Sequence, residues 1–338
     1  MQALQRVYIT LQGDHKIAIH NLNSETGELT HQEDISTPGG PAPFAVSPDN
    51  TRAYTGLRDA NKMASFDIDA SSGTLKPSGA IDLESDPCYV SVDNTGRHLL
   101  SAYYSAGHIA VHPIDDEGAL GGAATEWIAT RHRAHCAQTD SSNSYTFLPH
   151  VDDSNAIYQY KFDDKTGKLT PNDPAVIEPP VGDGPRHYAY HPNGKFIYFD
   201  NEQASSVTAY KFDSTTGTIE AFQTLSTLPA NWSGENSNAQ IHMSPDGKFL
   251  YAANRGHNSI AMYSVDSETG KLTSLGQQQS LGTPRAFGID PTGKFMLVGG
   301  LDNGDLATYK IDPTGTLSHL TTQPVGDQPM WIHITEPI

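Results

Sequence analysis

Five ionisable side chains, His135, Arg186, Glu202, Arg255 and Arg285, have the types and the recurrence that suit chemistry on a small ligand. A carboxylate can take a proton, an imidazole can take or give one, and a guanidinium holds an anionic oxygen through parallel N–H bonds. They are far apart along the chain, so chemistry between them requires a scaffold that returns to one place many times. The sequence contains such a scaffold as an internal repeat.

One repeated pattern is an alternating strand, a short polar turn ending in glycine, a polar residue and an aliphatic one. It reads Ile17-Ala-Ile-His-Asn-Leu-Asn-Ser-Glu-Thr-Gly27-Glu-Leu29 and returns as Met63 to Leu75 around Gly73. Further copies centre on Gly118, Gly167, Gly217, Gly270 and Gly315, seven in all, spaced by 45 to 53 residues. Each predicts a hairpin whose glycine takes the positive φ of a tight turn. Between the copies lies a second pattern of strand, polar turn and strand, as in Phe44 to Tyr54 and Ile241 to Tyr251. Related turns stand at Asp93–Gly96, His191–Gly194 and Asp290–Gly293, with a degenerate copy at Asp140–Ser144.

Two hairpin turns per repeat give four strands, and four-stranded units of this length repeated radially are propeller blades. No segment shows a sustained helical period. The predicted fold is all-β: a seven-bladed β-propeller of four-stranded antiparallel blades, one domain over residues 1–338. The ends are complementary, since Gln328 to Thr335 resembles the first strand of a blade and Arg6 to Leu11 the second. The last blade is therefore expected to take one C-terminal and three N-terminal strands, which removes an exposed sheet edge.

Superposing the repeats on the second pattern aligns the residues that open each innermost strand: Ala42, Cys88, His135, Arg186, Ala239, Arg285 and Met330. The residues that end the neighbouring strand are Arg58, Tyr104, Val151, Glu202, Arg255, Leu301 and Gln12. Antiparallel neighbours place the start of one strand beside the end of the other, so the two sets are expected on one rim of the channel. Polar residues ordinarily line a water-filled propeller channel, and an isolated charge there can be merely solvated. Three arginines crowding one place in an acidic protein weigh against that reading for the cluster. Arg58, His187, Asn201, Gln240, His242 and Asn254 are secondary candidates; of these, Arg58, His187 and Asn254, with Arg285, are assigned to substrate binding. Cys88 reads as a packed thiol and Asp152–Asp153 as a solvated turn.

Composition narrows the partners. Lys and Arg number 21 against 39 Asp and Glu, a net charge of −18, which opposes binding to nucleic acid or an anionic membrane surface. The first residues lack a charged segment followed by an apolar core, and no apolar run approaches the ~20 residues of a membrane helix. Two cysteines are too few for a disulfide framework or a Cys-based zinc site. A cytoplasmic location is expected, with no metal and no cofactor required. No phosphate-binding glycine loop, zinc-protease motif or serine-hydrolase elbow is present.

The chain resembles the seven-bladed lactonase family, which includes bacterial propeller-type 6-phosphogluconolactonase and the fungal carboxymuconate-lactonising enzyme. The resemblance covers essentially the whole chain. It rests on Gly184-Pro-Arg-His-Tyr-Ala-Tyr-His-Pro-Asn193, Tyr198-Phe-Asp-Asn-Glu202, Ser244 to Arg255, Gly282-Thr-Pro-Arg285, Ala134-His-Cys136 and Gln328-Pro-Met-Trp331. It implies a catalytic set of His135, Arg186, Glu202 and Arg255, all four already selected by the aligned repeats. Two departures stand out: the turn near His135 reads Asp140-Ser-Ser142 where the family has Ser-Pro-Asp, and Arg131 and Arg133 add basic charge before His135.

The resemblance implies hydrolysis of a sugar lactone, 6-phosphogluconolactone or a related aldonolactone, by a monomer or weak homodimer in carbohydrate metabolism through the pentose phosphate pathway. Glu202 would act as general base, His135 as second base or proton donor, and Arg186 and Arg255 as stabilisers of negative charge. Arg285, with Arg58, would clamp an anionic group of the substrate. Two other readings stay open: a cycloisomerase of muconate-type carboxylates, and a non-catalytic propeller that binds a ligand or a protein.

Overall fold

The computed structural model describes residues 4–336. Among them the strands form seven sheets, each built from sequential strands except where the two ends of the chain meet. That exception is the sheet ordered Pro329–Ile334, Leu4–Leu11, Lys16–Asn23 and Leu29–Ser36. One C-terminal strand pairs with the first of three N-terminal strands, Val7 opposite Ile334 and Thr10 opposite Trp331. The fold is the expected seven-bladed propeller, with its last blade completed by both ends of the chain.

By contacts the chain divides into two compact units. Of the described residues, one holds 4–36, 187–212 and 219–336; the other holds 37–186 and 213–218. In the first unit, apolar clusters lie between neighbouring sheets: Phe196, Tyr198 and Val207 pack with Leu250, Ala252 and Tyr263. In the second, Leu100, Ile109 and Val111 pack with Leu148, Tyr160 and Phe162. Such burial contributes about 25 cal/mol per Å² of apolar surface.

The repeat glycines have two duties. Gly270 (φ +70°) and Gly315 (φ +83°) take the left-handed conformation at their hairpin turns. A Cβ at either would also run into a phenylalanine ring of the preceding blade, Phe196 and Phe249 respectively. The tyrosine two residues after each phenylalanine adds a hydrogen bond to the same turn: Tyr198 Oη donates to the Gly270 carbonyl and Tyr251 Oη to the Gly315 carbonyl, both at 2.9 Å. Glycine is thus required by backbone and by packing together, which is why it recurs at this position.

The second turn has its own device. Asp93, Asp140 and Asp290 are buried, and each carboxylate accepts backbone N–H groups from four or five residues ahead. Arg97 and His98 donate to Asp93 at 2.8 Å, Ser144 and Tyr145 to Asp140 at 2.9 and 2.8 Å, and Phe295 to Asp290 at 2.6 Å. The Asp140 turn is therefore degenerate in its letters only.

One blade departs from four strands. Tyr145–His150, Ala156–Asp163 and Lys168–Ile177 form a three-stranded sheet. The innermost segment beside it is held by isolated bridges, Ala134 to His150 and Thr139 to Thr146. The His135 N–H donates to the Pro149 carbonyl at 3.0 Å, and proline has no N–H to return the bond. A continuous ladder is interrupted at the residue marked for chemistry.

Candidate active site

Four of the seven aligned positions turn out to be bulge positions. Strand pairing shifts register between Pro41 and Phe44, between Asn238 and Ile241, and between Pro284 and Ala286. It shifts again where Thr10 faces Trp331 and Leu11 faces Pro329. Ala42, Ala239, Arg285 and Met330 fall within these shifts. A bulge residue leaves the ladder and its side chain is re-aimed, so such a position accepts Ala, Arg or Met with no change in strand pairing.

The backbone beside it is regular. Arg58 N–H donates to the Gly40 carbonyl (3.0 Å), Val151 to Arg133 (3.2 Å), Leu301 to Thr283 (3.1 Å) and Gln12 to Gln328 (3.0 Å). Each bond ties a residue ending the second strand to the turn that opens the first, as antiparallel pairing demands.

Glu202 and Arg255 are brought together. Arg255 Nη2 lies 3.1 Å from Glu202 Oε1, with the two side chains 15% and 18% exposed. The same nitrogen donates to the Asn238 carbonyl at 2.6 Å, and the Asn238 N–H donates to the Glu202 carbonyl at 3.1 Å. The backbone of one inner-strand residue, Asn238, thus registers both members of the pair. Asn254, assigned to substrate from the sequence, is fully buried. Its amide donates to the Thr227 carbonyl and Ser259 Oγ and accepts from Asn236. With those bonds made, Asn254 supports the strand that carries Arg255.

His135 is buried, and its ring stands edge-on to Tyr104 at 5.8 Å and 81°. The Cys88 thiol faces backbone oxygens, 3.3 Å from the Ala134 carbonyl and 3.7 Å from that of His135. That carbonyl is the one Pro149 cannot serve. His150, beside the bridge to Ala134, is fully buried; burial pushes its imidazole down to about 4, so it is neutral near pH 7. Its ring nitrogens contact the Leu148 carbonyl at 3.0 Å and Thr130 Oγ1 at 2.9 Å.

The remaining candidates are placed as follows. Arg186 is buried on the strand Pro185–Tyr190, where the next residue, His187, donates its N–H to the buried Asp200 carboxylate at 2.8 Å. The His187 ring lies 6.2 Å from that of Trp331. Arg58 is held by Asp86, with Nε and Nη2 at 3.2 and 3.1 Å from one carboxylate oxygen. Arg285 is half-buried at its bulge. The direct contacts described therefore join Glu202 to Arg255, while His135, Arg186 and Arg58 belong to the unit of residues 37–186.

Sequence reasoning did not single out Asn238, Asn236 or Tyr104 as functional. An asparagine beside the start of an inner strand, followed by another at the end of its neighbour, was the available signal for the first two. Among the described residues no group of three or more His, Cys, Asp or Glu is arranged to hold a metal ion, and no helix is long and apolar enough to cross a membrane.

A profile of the family described as lactonase, 7-bladed beta-propeller, matches residues 7–334. The chain belongs to this lactonase family. Curated relatives run its full length. A 6-phosphogluconolactonase of Pectobacterium atrosepticum is 32% identical over 332 residues, covering 98% of each chain. One from Yersinia pestis is 34% identical over 333 residues, again covering 98% of both.

Among solved structures, a protein of Lactobacillus plantarum superposes with a TM-score of 0.88 at 25% identity over 98% of this lactonase and all of its own chain. The periplasmic gluconolactonase of Pseudomonas aeruginosa gives 0.91 at 23% identity over 99% and 100% of the two chains, a likeness of fold. In this lactonase the Glu202–Arg255 pair and the bulged position of Arg285 stand on the blades of the propeller.

Proposed function

We propose that this lactonase hydrolyses a sugar lactone, 6-phosphogluconolactone or a related aldonolactone, to the open-chain acid. The reaction needs a positioned water, a base and a stabiliser for the oxyanion that forms at the carbonyl. Glu202 is the general base, and His135 protonates the departing ring oxygen or serves as second base. Arg186 and Arg255 stabilise the developing negative charge, while Arg285 and Arg58 line the approach and attract the anionic substrate.

The observation that carries this reading is the Glu202–Arg255 contact at 3.1 Å, a carboxylate and a guanidinium registered by the backbone of the same inner-strand residue, Asn238. The full-length relatives named 6-phosphogluconolactonase supply the substrate class. The enzyme works in the cytoplasm as a monomer or weak homodimer, with no nucleic-acid or membrane partner and no cofactor. Rates of ring opening for phosphorylated and unphosphorylated aldonolactones, corrected for spontaneous opening, test it together with Glu202→Gln and His135→Ala. Full activity in both variants would overturn the assignment of roles.

A further inference from the structure

The turn before His135 carries a side chain that the scaffold does not need. Two positions ahead of the inner-strand residue the backbone is left-handed in four blades, at Arg133 (φ 66°), Gly184 (64°), Thr283 (48°) and Gln328 (56°). That conformation costs a non-glycine residue about 1–2 kcal/mol. The backbone duty there, a carbonyl accepting an N–H from the second strand, is done equally by Arg133, Thr283 and Gln328. The backbone duty therefore does not require a long cation at this place.

The Arg133 side chain lines a cavity of about 500 Å³ together with Tyr104, Ser105, His132, Asp153 and Ser154. Small-molecule sites occupy roughly 300–1,000 Å³. The cavity reaches the chemistry through Tyr104, whose ring meets that of His135 and whose carbonyl accepts the Arg133 N–H at 2.7 Å. Its wall offers hydroxyl, imidazole, carboxylate and guanidinium groups, a mixture of donors and acceptors matched to a polyol that ends in an anion. Arg131, also at the wall, is committed to the Glu178 carboxylate and to the Ser154 carbonyl.

Arg133 pairs with Asp152 and, at 3.4 Å, with Asp153, the three side chains being 31%, 51% and 81% exposed. The two carboxylates are largely open to solvent, which weakens their hold on the guanidinium. A phosphate carries more charge than one carboxylate and accepts two parallel N–H bonds from a guanidinium, so it competes with either carboxylate for Arg133.

We infer that this cavity is the subsite for the terminal phosphate and adjoining hydroxyls of the substrate, with Arg133 the phosphate-binding residue. The inference rests on the lactonase reading for the identity of the ligand's other end. It assigns a function to the basic segment Arg131–Arg133, which departs from the family pattern.

The test is equilibrium titration of the whole protein with 6-phosphogluconate and with gluconate, the stable ring-opened acids. Wild type is expected to bind the phosphorylated acid at least tenfold more tightly. Arg133→Gly, which installs the residue that Gly184 already has at the equivalent turn, should lose most of that preference while melting no lower than wild type. Asp153→Asn, which removes a competing carboxylate, should widen it. Wild type that binds neither acid, or both equally, or an Arg133→Gly variant that keeps the preference, overturns the inference. Turnover is measured separately on the two lactones. A phosphate preference that depends on Arg133, without any turnover, would fail the lactonase reading and leave the subsite standing.

Discussion

Replacing Glu202 by Gln keeps the shape of the side chain and removes its charge, so it separates the ion pair from the packing around it. The pair is 3.1 Å apart with both side chains mostly covered. At an effective dielectric of about 20 the bare attraction is roughly 5 kcal/mol. Desolvation offsets much of it, and partial exposure lowers it further, leaving a net coupling of about 1–3 kcal/mol. Arg255 is not stranded by the change, because its bond to the Asn238 carbonyl remains. With an unfolding entropy of about 2.1 cal/mol/K per residue, the loss corresponds to a melting shift of roughly 1.5–4 °C. Activity should fall far more, about 10²–10⁴-fold in kcat/KM, if Glu202 moves a proton in the rate-limiting step. The assay is ring opening followed by acid release, corrected for the uncatalysed rate, beside calorimetry and the double cycle with Arg255→Met. Wild-type turnover in Glu202→Gln would refute the role of base, and zero coupling in the cycle would refute the role of the pair.

Three further outcomes are expected. Burial holds the imidazoles of His20, His112 and His150 down at about 4 in the folded chain, against 6.5 when exposed. Stability should therefore be full above pH 6.5 and decline towards pH 4, by up to about 1.4 kcal/mol per pH unit for each group; a melting temperature flat from pH 7 to 4.5 would contradict this. Gly315→Ala should cost about 2 kcal/mol or more, because it combines positive φ with a collision against Phe249, whereas Gly79→Ala, with nothing within 4 Å of the new carbon, should be neutral or slightly stabilising in denaturant titrations. Cys88→Ala should retain lactonase turnover, since that thiol faces backbone carbonyls; loss of activity at unchanged melting temperature would give the thiol a role it is not assigned here.

The blades were legible because one residue type answers two demands. Gly270 and Gly315 serve a left-handed turn and a close ring contact together, so the letter recurs and the period can be counted. The aligned positions Ala239 and Arg285 varied for a related reason: a bulge frees a side chain from pairing, so its identity changes while its neighbours repeat. The three-stranded blade was hidden because its cause is Pro149, which lies on the partner strand and matters only through an N–H it lacks. The network that Asn254 closes with Thr227, Ser259 and Asn236 was not legible, because a polar residue at the end of a strand reads alike whether it faces a ligand or its own neighbours. Pairings such as Arg58 with Asp86 depend on where each side chain reaches once folded, and no spacing in the chain encodes that.

The central claim is that this propeller opens a sugar lactone with water. The most direct measurement is the opening of 6-phosphogluconolactone by the wild-type protein in ¹⁸O-labelled water, against a blank for the spontaneous reaction. The account predicts enzyme-dependent acid carrying one solvent oxygen in its carboxylate, formed well above the blank. An enzyme rate equal to the blank on phosphorylated and unphosphorylated lactones alike would contradict it.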